Sequence, residues 1–227
     1  MVRRLRFLLI TAMAGTALAA SAAAPKPSLT VTVKGMASGQ PIIDKQALCL
    51  PTADGKSDKT GANIRPEIRW SGAPVGTKSF AVFMMDPDVP ADFTDAGKDG
   101  KILAADAKRQ DFYHWGVINI PADVSALAGG KPGSAITSGS ALLNDLGSNG
   151  YVTPPTAFGG PCPPWNDARI HHYHFIVLAL NADTAPVSDK TTAKEMFNRL
   201  IASDALLASG TVIGTYTLNP ALRAAQK

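Results

Sequence analysis

Hydrophobic runs separated by turn-forming residues predict a chain built mainly from β-strands. The three strongest runs are residues 79–85, 113–120 and 170–180. They are apolar at successive positions, as is typical of strands covered on both faces. Further strands are predicted at residues 29–33, 40–50, 67–70 and 211–218.

One segment has the spacing of an amphipathic helix. Between residues 192 and 208, apolar side chains recur three or four positions apart and form one stripe. The stripe contains Ala193, Met196, Phe197, Leu200 and Ile201. Thr192 and Glu195 match a capping box, and Gly210 is expected to end the helix. We expect this helix to cover strand 170–180.

Two long segments show neither the apolar runs of the predicted strands nor the spacing of an amphipathic helix. Residues 91–110 carry eight charged side chains and predict a long surface loop. Residues 129–164, which are rich in Gly, Pro, Ser and Thr, are expected to be largely irregular. Because strands outnumber helices, we predict a two-sheet β-sandwich with a few peripheral helices, forming a single domain over residues 25–227.

The N-terminus is typical of a secretory signal peptide. Arg3, Arg4 and Arg6 precede a short apolar run, and small residues suited to cleavage follow it. We therefore predict a cleaved signal peptide at residues 1–24 and a periplasmic or secreted protein. An uncleaved N-terminal anchor is the alternative.

Charge and composition narrow the possible partners. The net charge of +4 in 227 residues includes the three leader arginines, so cleavage leaves nineteen basic against eighteen acidic residues, or +1. Such a balance argues against nucleic acid as a partner. No later run is long enough to span a bilayer, so no stable membrane insertion is expected.

Cys49 and Cys162 are the chain's two cysteines. In an oxidising compartment they can form a disulfide, and two separate buried thiols are the alternative. Both possibilities stay open on the sequence alone.

The four histidines fall in two short segments, at His114 and at His171, His172 and His174. On a strand His171 and Tyr173 face one side, whereas His172 and His174 face the other.

Acidic and glycine residues complete a candidate pocket. Asp86 and Asp88 end a predicted strand, and the loop 159–164 leads towards the histidine strand. Imidazole and phenol groups would donate hydrogen bonds to an anion, while glycines would let backbone N–H groups approach it. The alternative is that both aspartates only cap a local turn.

Catalytic and metal-dependent functions have weak support. His172 and His174 form a possible metal pair, but no third ligand is evident, so no metal or cofactor is predicted. There is no nucleophile elbow for a hydrolase, and the two aspartates are too close for a glycosidase. The 129–134 segment does not match a phosphate-binding loop. We expect a non-enzymatic protein.

Four ordered motifs resemble the phosphatidylethanolamine-binding protein family, including its bacterial Raf-kinase-inhibitor-like branch. They are Asp86-Pro87-Asp88-Val89-Pro90, His114-Trp115, Gly160-Pro161-Cys162-Pro163-Pro164 and His171-His172-Tyr173-His174-Phe175. Three positions depart from the family pattern: Val89 replaces Ala, His172 replaces Arg, and Arg65 replaces Ser.

The resemblance implies a β-sandwich with a small anion pocket. By similarity, the ligand-binding residues are Asp86, Asp88, His114, Gly160, Pro161, His171 and Tyr173. The expected ligand is a small phosphorylated molecule or a phospholipid head group. Asp86 and Asp88 are expected to orient His114 and His171. The alternative function is a protease inhibitor or protein-interaction modulator that acts through surface loops, with loop 91–110 bordering the pocket.

Overall fold

A computed structural model describes residues 27–225 as a mostly β protein with few helices. The strands are β1 Thr30–Val33, β2 Leu50–Pro51, β3 Ser57–Asp58, β4 Ile68–Ser71, β5 Ser79–Pro90, β6 Arg109–Pro121, β7 Ala126–Leu127, β8 Ser140–Ala141, β9 His171–Leu180 and β10 Leu206–Tyr216. The helices are α1 Asp145–Ser148, α2 Ala193–Ile201 and α3 Pro220–Ala225, and a 3-10 turn covers Asp44–Gln46. The predicted signal peptide lies outside the described residues.

Hydrogen bonding divides these strands into three sheets, so the predicted two-sheet arrangement is corrected. The central sheet has the order β10-β9-β5-β6-β8, and its neighbouring strands are antiparallel. A second sheet has the order β1-β4-β7, while β2 and β3 form a separate two-stranded ribbon. The ribbon was missed because each of its strands has only two residues, too few to show an alternation.

The central sheet is covered on both faces. Its pocket face, represented by Tyr173, Phe175 and Val177, shares a core with Ile68 and Trp70 of the second sheet. Its helix face, which includes Ile176 and Leu178, packs against α2. This double burial explains why β5 and β9 have near-continuous apolar sequences.

Helix α2 begins as predicted but ends earlier. The Thr192 side chain accepts a hydrogen bond from the Glu195 backbone, and the Glu195 carboxylate accepts one from the Thr192 backbone. The helix ends at Ile201, so the prediction that Gly210 terminates it was wrong. Gly210 lies within β10, where a Cβ atom would approach the Leu29 carbonyl oxygen to 2.4 Å. The glycine permits two backbones to pack closely rather than ending a helix.

Two strand predictions also need correction. Residues 40–50 do not form one strand, because the 3-10 turn interrupts them. Ile42 and Leu48 enter the core separately, whereas Ile43 is exposed. Strand β5 does not end at Asp86 but continues to Pro90. Its pairing with β6 shifts between Asp86 and Val89, and this irregularity accommodates Pro87 inside the strand.

One buried asparagine holds the loop between β5 and β6. The Asn166 side chain accepts a hydrogen bond from the Gly97 N–H at 2.8 Å. It also donates to the carbonyl oxygens of Asp95 and Lys101, at 2.9 and 3.1 Å. The loop is therefore ordered against the segment that precedes β9. Residues 129–164 are largely irregular, as predicted.

Candidate functional site

Three neighbouring strands bring the candidate residues together at one end of the central sheet. Asp86 comes from β5, His114 from β6, and His171 and Tyr173 from β9. Met84 pairs with Trp115 and Met85 with Tyr113, so His114 is the extra residue of a β-bulge. Bulges redirect side chains. Here the bulge gives β6 an irregular alternation that the sequence did not predict.

His171 lies at the centre of a buried ionic network. Its Nδ1 donates to Asp86 Oδ2 at 2.7 Å, and its Nε2 donates to Asp167 Oδ2 at 3.2 Å. Arg109 completes the network with two hydrogen bonds to the Asp167 carboxylate, at 2.6 and 3.0 Å. These four side chains are each less than a tenth exposed. The network therefore links β5, β6 and the segment preceding β9.

The network fixes the charge of His171. Burial alone would lower its pKa, but Asp86 and Asp167, one at each ring nitrogen, raise the pKa to about 9. Burial would likewise raise the pKa of Asp167, but its hydrogen bonds with His171 and Arg109 lower it. His171 is thus an imidazolium at neutral pH, and both of its N–H groups are already used.

His114 differs from His171 in its hydrogen bonding and in its charge. Its Nδ1 lies 3.0 Å from the Gly159 carbonyl oxygen, whereas its Nε2 is buried without a hydrogen-bond partner among the described residues. That Nε2 is 3.9 Å from Asp86 Oδ2. Burial is the main cause that lowers the pKa of His114, so the ring is neutral at pH 7.

Tyr173 provides a second unpartnered polar atom. Its ring meets that of His114 edge to face, with centroids 5.2 Å apart, and its buried hydroxyl makes no hydrogen bond within the described residues. Burial, followed by the nearby Asp86 carboxylate, raises the pKa of Tyr173 well above its usual value. The hydroxyl therefore keeps its proton and remains a hydrogen-bond donor.

Asp86, His114 and Tyr173 line a cavity of about 520 Å³. Its other walls are mainly apolar and include Val89, Phe93, Phe112, Leu146, Pro163, Pro164 and Trp165. As expected, loop 91–110 borders this cavity, through Phe93, Ala96 and Gly97. Lys59 and Tyr151 also line the cavity, and Lys59 Nζ lies 3.8 Å from the centre of the Tyr151 ring.

Cys49 and Cys162 form a disulfide with a Cα–Cα distance of 4.7 Å. Both residues line the cavity, and Pro163, Pro164 and Trp165 follow Cys162 directly. Of the two alternatives left open by the sequence, the structure contains the paired form. The bond connects one wall of the cavity to the segment preceding β2.

Asp88 does not orient His114 or His171, which corrects that expectation. Its carboxylate accepts hydrogen bonds from His172 Nδ1 at 2.7 Å and from the His172 backbone at 2.9 Å, and it pairs with Arg169 at 2.8 Å. The irregular pairing of β5 separates its environment from that of Asp86. The turn-capping alternative describes Asp86 in part, since Asp86 Oδ1 accepts from the Asp88 N–H at 2.8 Å.

Gly160 and Pro161 have structural contacts instead of forming the cradle expected for a ligand. The Gly160 N–H donates to Asn63 Oδ1 at 2.7 Å, and a Cβ atom would lie 1.9 Å from the Gln46 carbonyl oxygen. The Pro161 carbonyl accepts from the backbone N–H groups of Leu48 and Cys49. The glycine is needed because two chain segments approach closely.

The remaining histidines lie on the opposite side of β9, as the alternation predicted. His172 is largely exposed and His174 is half-buried. Among residues 27–225, no group of three or more His, Cys, Asp or Glu side chains is arranged to hold a metal ion.

Four residues of the site were not predicted from the sequence: Arg109, Asp167 and the aromatic walls Phe112 and Trp165. Asp167 had a usable signal, because it stands four residues before His171 and directly ahead of a buried strand. Arg109 had none, since its partner is 58 residues away and the contact arises only from tertiary packing.

Comparison with known proteins places this fold and site in a recognised class. A family model described as "Phosphatidylethanolamine-binding protein" matches residues 38–217. The chain belongs to the phosphatidylethanolamine-binding protein family. The site residues Asp86, His114, His171 and Tyr173 all fall within the matched region.

Individual relatives agree with this assignment. The chain is 39% identical to the UPF0098 protein YbcL of Escherichia coli over 136 residues, which cover 58% of this chain and 61% of that protein. It is 32% identical to a UPF0098 protein of Aquifex aeolicus, covering 73% of this chain and 77% of the relative.

Solved structures show the same fold. The crystal structure of E. coli YbcL, described as a new member of the mammalian PEBP family, aligns with a TM-score of 0.62 and 28% identity. That alignment covers 84% of this chain and 99% of the solved chain. A putative homologue from Chlamydia trachomatis aligns with a TM-score of 0.57 and 25% identity, covering 83% of this chain and 97% of the other.

Proposed function

We propose that this protein is a non-enzymatic binding protein whose pocket takes the acid group of a small molecule. The acid group is a phosphoryl group, free or in a phospholipid head group. The observation that carries the proposal is the pair of buried, unpartnered polar atoms, His114 Nε2 and the Tyr173 hydroxyl, which adjoin one cavity. Buried polar atoms usually have a partner, so a ligand oxygen between them would remove an unfavourable feature of the empty site.

The shape of the cavity supports a ligand with an organic part. Its volume of about 520 Å³ lies within the range of small-molecule sites and exceeds the space that a phosphate needs. Asp86, His114 and Tyr173 share the lining with Phe93, Phe112 and Trp165, which supply apolar surface. We therefore expect the acid group to enter first and the organic part to contact these aromatic side chains.

Several observations favour binding over catalysis. Each ring nitrogen of His171 is held by a carboxylate, which leaves neither free to exchange a proton with a ligand. Both cysteines that line the cavity are joined to each other, so neither is a free nucleophile. His114 Nε2 has no hydrogen-bond partner among the described residues, so it activates no nucleophile there.

We also propose that the protein is exported. The predicted signal peptide supports export, and the disulfide agrees with an oxidising compartment. Among the described residues, no helix is long and apolar enough to cross a membrane. Cell fractionation together with the N-terminal sequence of the mature protein tests export. A cytoplasmic protein that begins at Met1 would contradict it.

The test of ligand binding is an NMR titration of the histidine ring signals with phosphoethanolamine. We expect saturable shifts of His114, and the same result with inorganic phosphate would assign binding to the phosphoryl group alone. His114→Gln should weaken binding about tenfold, the effect of losing one buried hydrogen bond. His174→Gln is the matched control, because His174 lies outside the cavity. An unresponsive His114 with every phosphoryl ligand would overturn the proposal.

One observation favours a second candidate, inhibition of a protease by loop 91–110. Ile102 is 76% exposed on this loop, which is otherwise anchored by Asn166. Deleting the loop would also remove Phe93 and two other cavity walls, so a point substitution is the better test. Ile102→Ser should abolish inhibition of a susceptible serine protease, whereas Val75→Ser, at a fully exposed site elsewhere, should not. Inhibition unchanged in both variants, or absent in the parent, would exclude this function for the loop.

A further inference from the structure

The hydrogen bond between His114 and Gly159 determines which ring nitrogen carries the proton. A backbone carbonyl only accepts, so the Nδ1 atom 3.0 Å from the Gly159 oxygen must be the N–H of the neutral ring. The buried Nε2 atom then carries a lone pair, and its residue lines the cavity. At His114 the empty site consequently offers an acceptor where the anion-pocket hypothesis needs a donor, and the Tyr173 hydroxyl is the donor beside it.

Neither His171 nor Asp86 supplies a proton at His114 Nε2. His171 directs both N–H groups to carboxylates. Asp86, which also lines the cavity, places a negative oxygen 3.9 Å from His114 Nε2. A fully deprotonated oxyanion at Nε2 would meet a lone pair on one side and a carboxylate on the other.

We infer that an acid ligand binds this pocket together with one proton, shared between a ligand oxygen and His114 Nε2. This inference rests on the proposed function and specifies the form of its ligand. The proton either stays on the ligand and donates to Nε2 or moves to Nε2 and donates to the ligand. In both cases the complex holds one proton more than the dianion and the neutral histidine do separately.

The groups around His114 agree with this proton balance. Asp86 faces the ring from β5, His171 and Tyr173 from β9, and Asp145 from α1. Burial and the His171 charge favour a neutral ring in the empty pocket, whereas Asp86 and Asp145 favour the charged one. A ligand that brings a proton avoids the cost of burying a second imidazolium. The Tyr173 hydroxyl, which lies near Asp86, keeps a proton that it can donate to another ligand oxygen.

The inference predicts a defined pH dependence. A phosphate monoester such as phosphoethanolamine has a second pKa of about 6, so it is mostly a dianion at pH 8. Binding must then take up one proton, and the dissociation constant should rise about tenfold per pH unit above about pH 7. Below about pH 6 the monoanion predominates, and the dependence should level off.

Calorimetry of the purified protein with phosphoethanolamine at pH 8, in two buffers of different ionisation enthalpy, measures the proton uptake. We expect uptake of about one proton in the parent and in His174→Gln. His114→Gln should take up almost none, because a glutamine amide cannot take up the shared proton. Sulfate, which brings no proton, should bind at least tenfold more weakly than phosphate at pH 6.

The outcomes separate the two proposals. Binding without proton uptake would overturn the inference and leave the proposed function standing, whereas no binding of any phosphoryl ligand would overturn both. Nitrogen-15 NMR of the ligand-free protein gives an independent result without any variant. The Nδ1–H tautomer of His114 supports the inference, and the Nε2–H tautomer would contradict it.

Discussion

The two faces of the central sheet each bury a tyrosine whose hydroxyl has no partner among the described residues. Tyr113, on the helix face, packs beside Phe197 with ring centroids 5.6 Å apart, in an apolar cluster beneath α2. Tyr173, on the pocket face, lies beside His114 and lines the cavity. An unpartnered polar atom therefore indicates a binding site only where it meets a cavity and other polar groups.

The faces also differ in what stabilises them. The helix face is held by apolar packing and by the capped start of α2. The pocket face combines apolar packing with the Asp86–His171–Asp167–Arg109 network and a disulfide. Substitutions on the pocket face should thus change stability and ligand binding together, whereas those on the helix face should change stability alone.

The largest effect is expected from Asp167→Asn. This change leaves the buried charges of Arg109 and His171 without their shared counter-charge, which should lower the free energy of unfolding by about 3–5 kcal/mol. Urea denaturation measures it. Asp183→Asn, which breaks an exposed ion pair with Lys78, is the control and should cost less than about 1 kcal/mol. Equal effects of the two variants would contradict the role of the network.

Loss of the disulfide should rank second. Cys49 and Cys162 are 113 residues apart, and a bond that closes a loop of this length restricts the unfolded chain strongly. The double variant Cys49→Ala/Cys162→Ala should be less stable by about 2–4 kcal/mol in chemical denaturation. It should also bind phosphoethanolamine more weakly, because the bond holds a cavity wall. Unchanged affinity would contradict the claim that the disulfide helps to shape the pocket.

Raising the pH should destabilise the pocket face. The folded-state pKa of His171, about 9, exceeds the ordinary value of 6.5, so the folded protein binds this proton more tightly than the unfolded chain. The stabilisation is complete below about pH 6.5 and is lost as the pH rises through 9, by about 3 kcal/mol. His171→Gln should flatten this part of the stability curve, and His174→Gln should not. A His171 ring that titrates below pH 7 in NMR would contradict the network assignment.

The smallest effect concerns the helix face. Thr192→Ala removes the side-chain half of the α2 capping box and should cost about 1 kcal/mol. Thermal or urea denaturation measures this change. Ligand affinity should stay the same, since Thr192 is distant from the cavity walls. A parallel loss of affinity would show that the two faces are coupled.

Features that depend on the local sequence pattern could be predicted. Uninterrupted apolar runs predicted the central parts of β5, β6 and β9, and the pair Thr192 and Glu195 predicted the start of α2. Family motifs also identified Asp86, His114 and Tyr173, which the structure brings to one cavity.

Features that depend on tertiary contacts were not predictable. The Asp88 side chain contacts His172 and Arg169 because the strand pairing is irregular there. The hydrophobic pattern of the sequence does not indicate such an irregularity. Gly160 and Gly210 are required by backbones that approach from distant parts of the chain. A glycine in the sequence is compatible both with close backbone packing and with a ligand contact. Its role can therefore be assigned only when its neighbours in the fold are known.

The most direct test of the central claim compares Tyr173→Phe with Tyr113→Phe in calorimetric titrations with phosphoethanolamine. Each variant removes one buried, unpartnered hydroxyl, but only the hydroxyl of Tyr173 adjoins the cavity. We predict about tenfold weaker binding for Tyr173→Phe and unchanged binding for Tyr113→Phe. Equal affinities of both variants and the parent would contradict the claim that the Tyr173 hydroxyl and His114 Nε2 form the binding site.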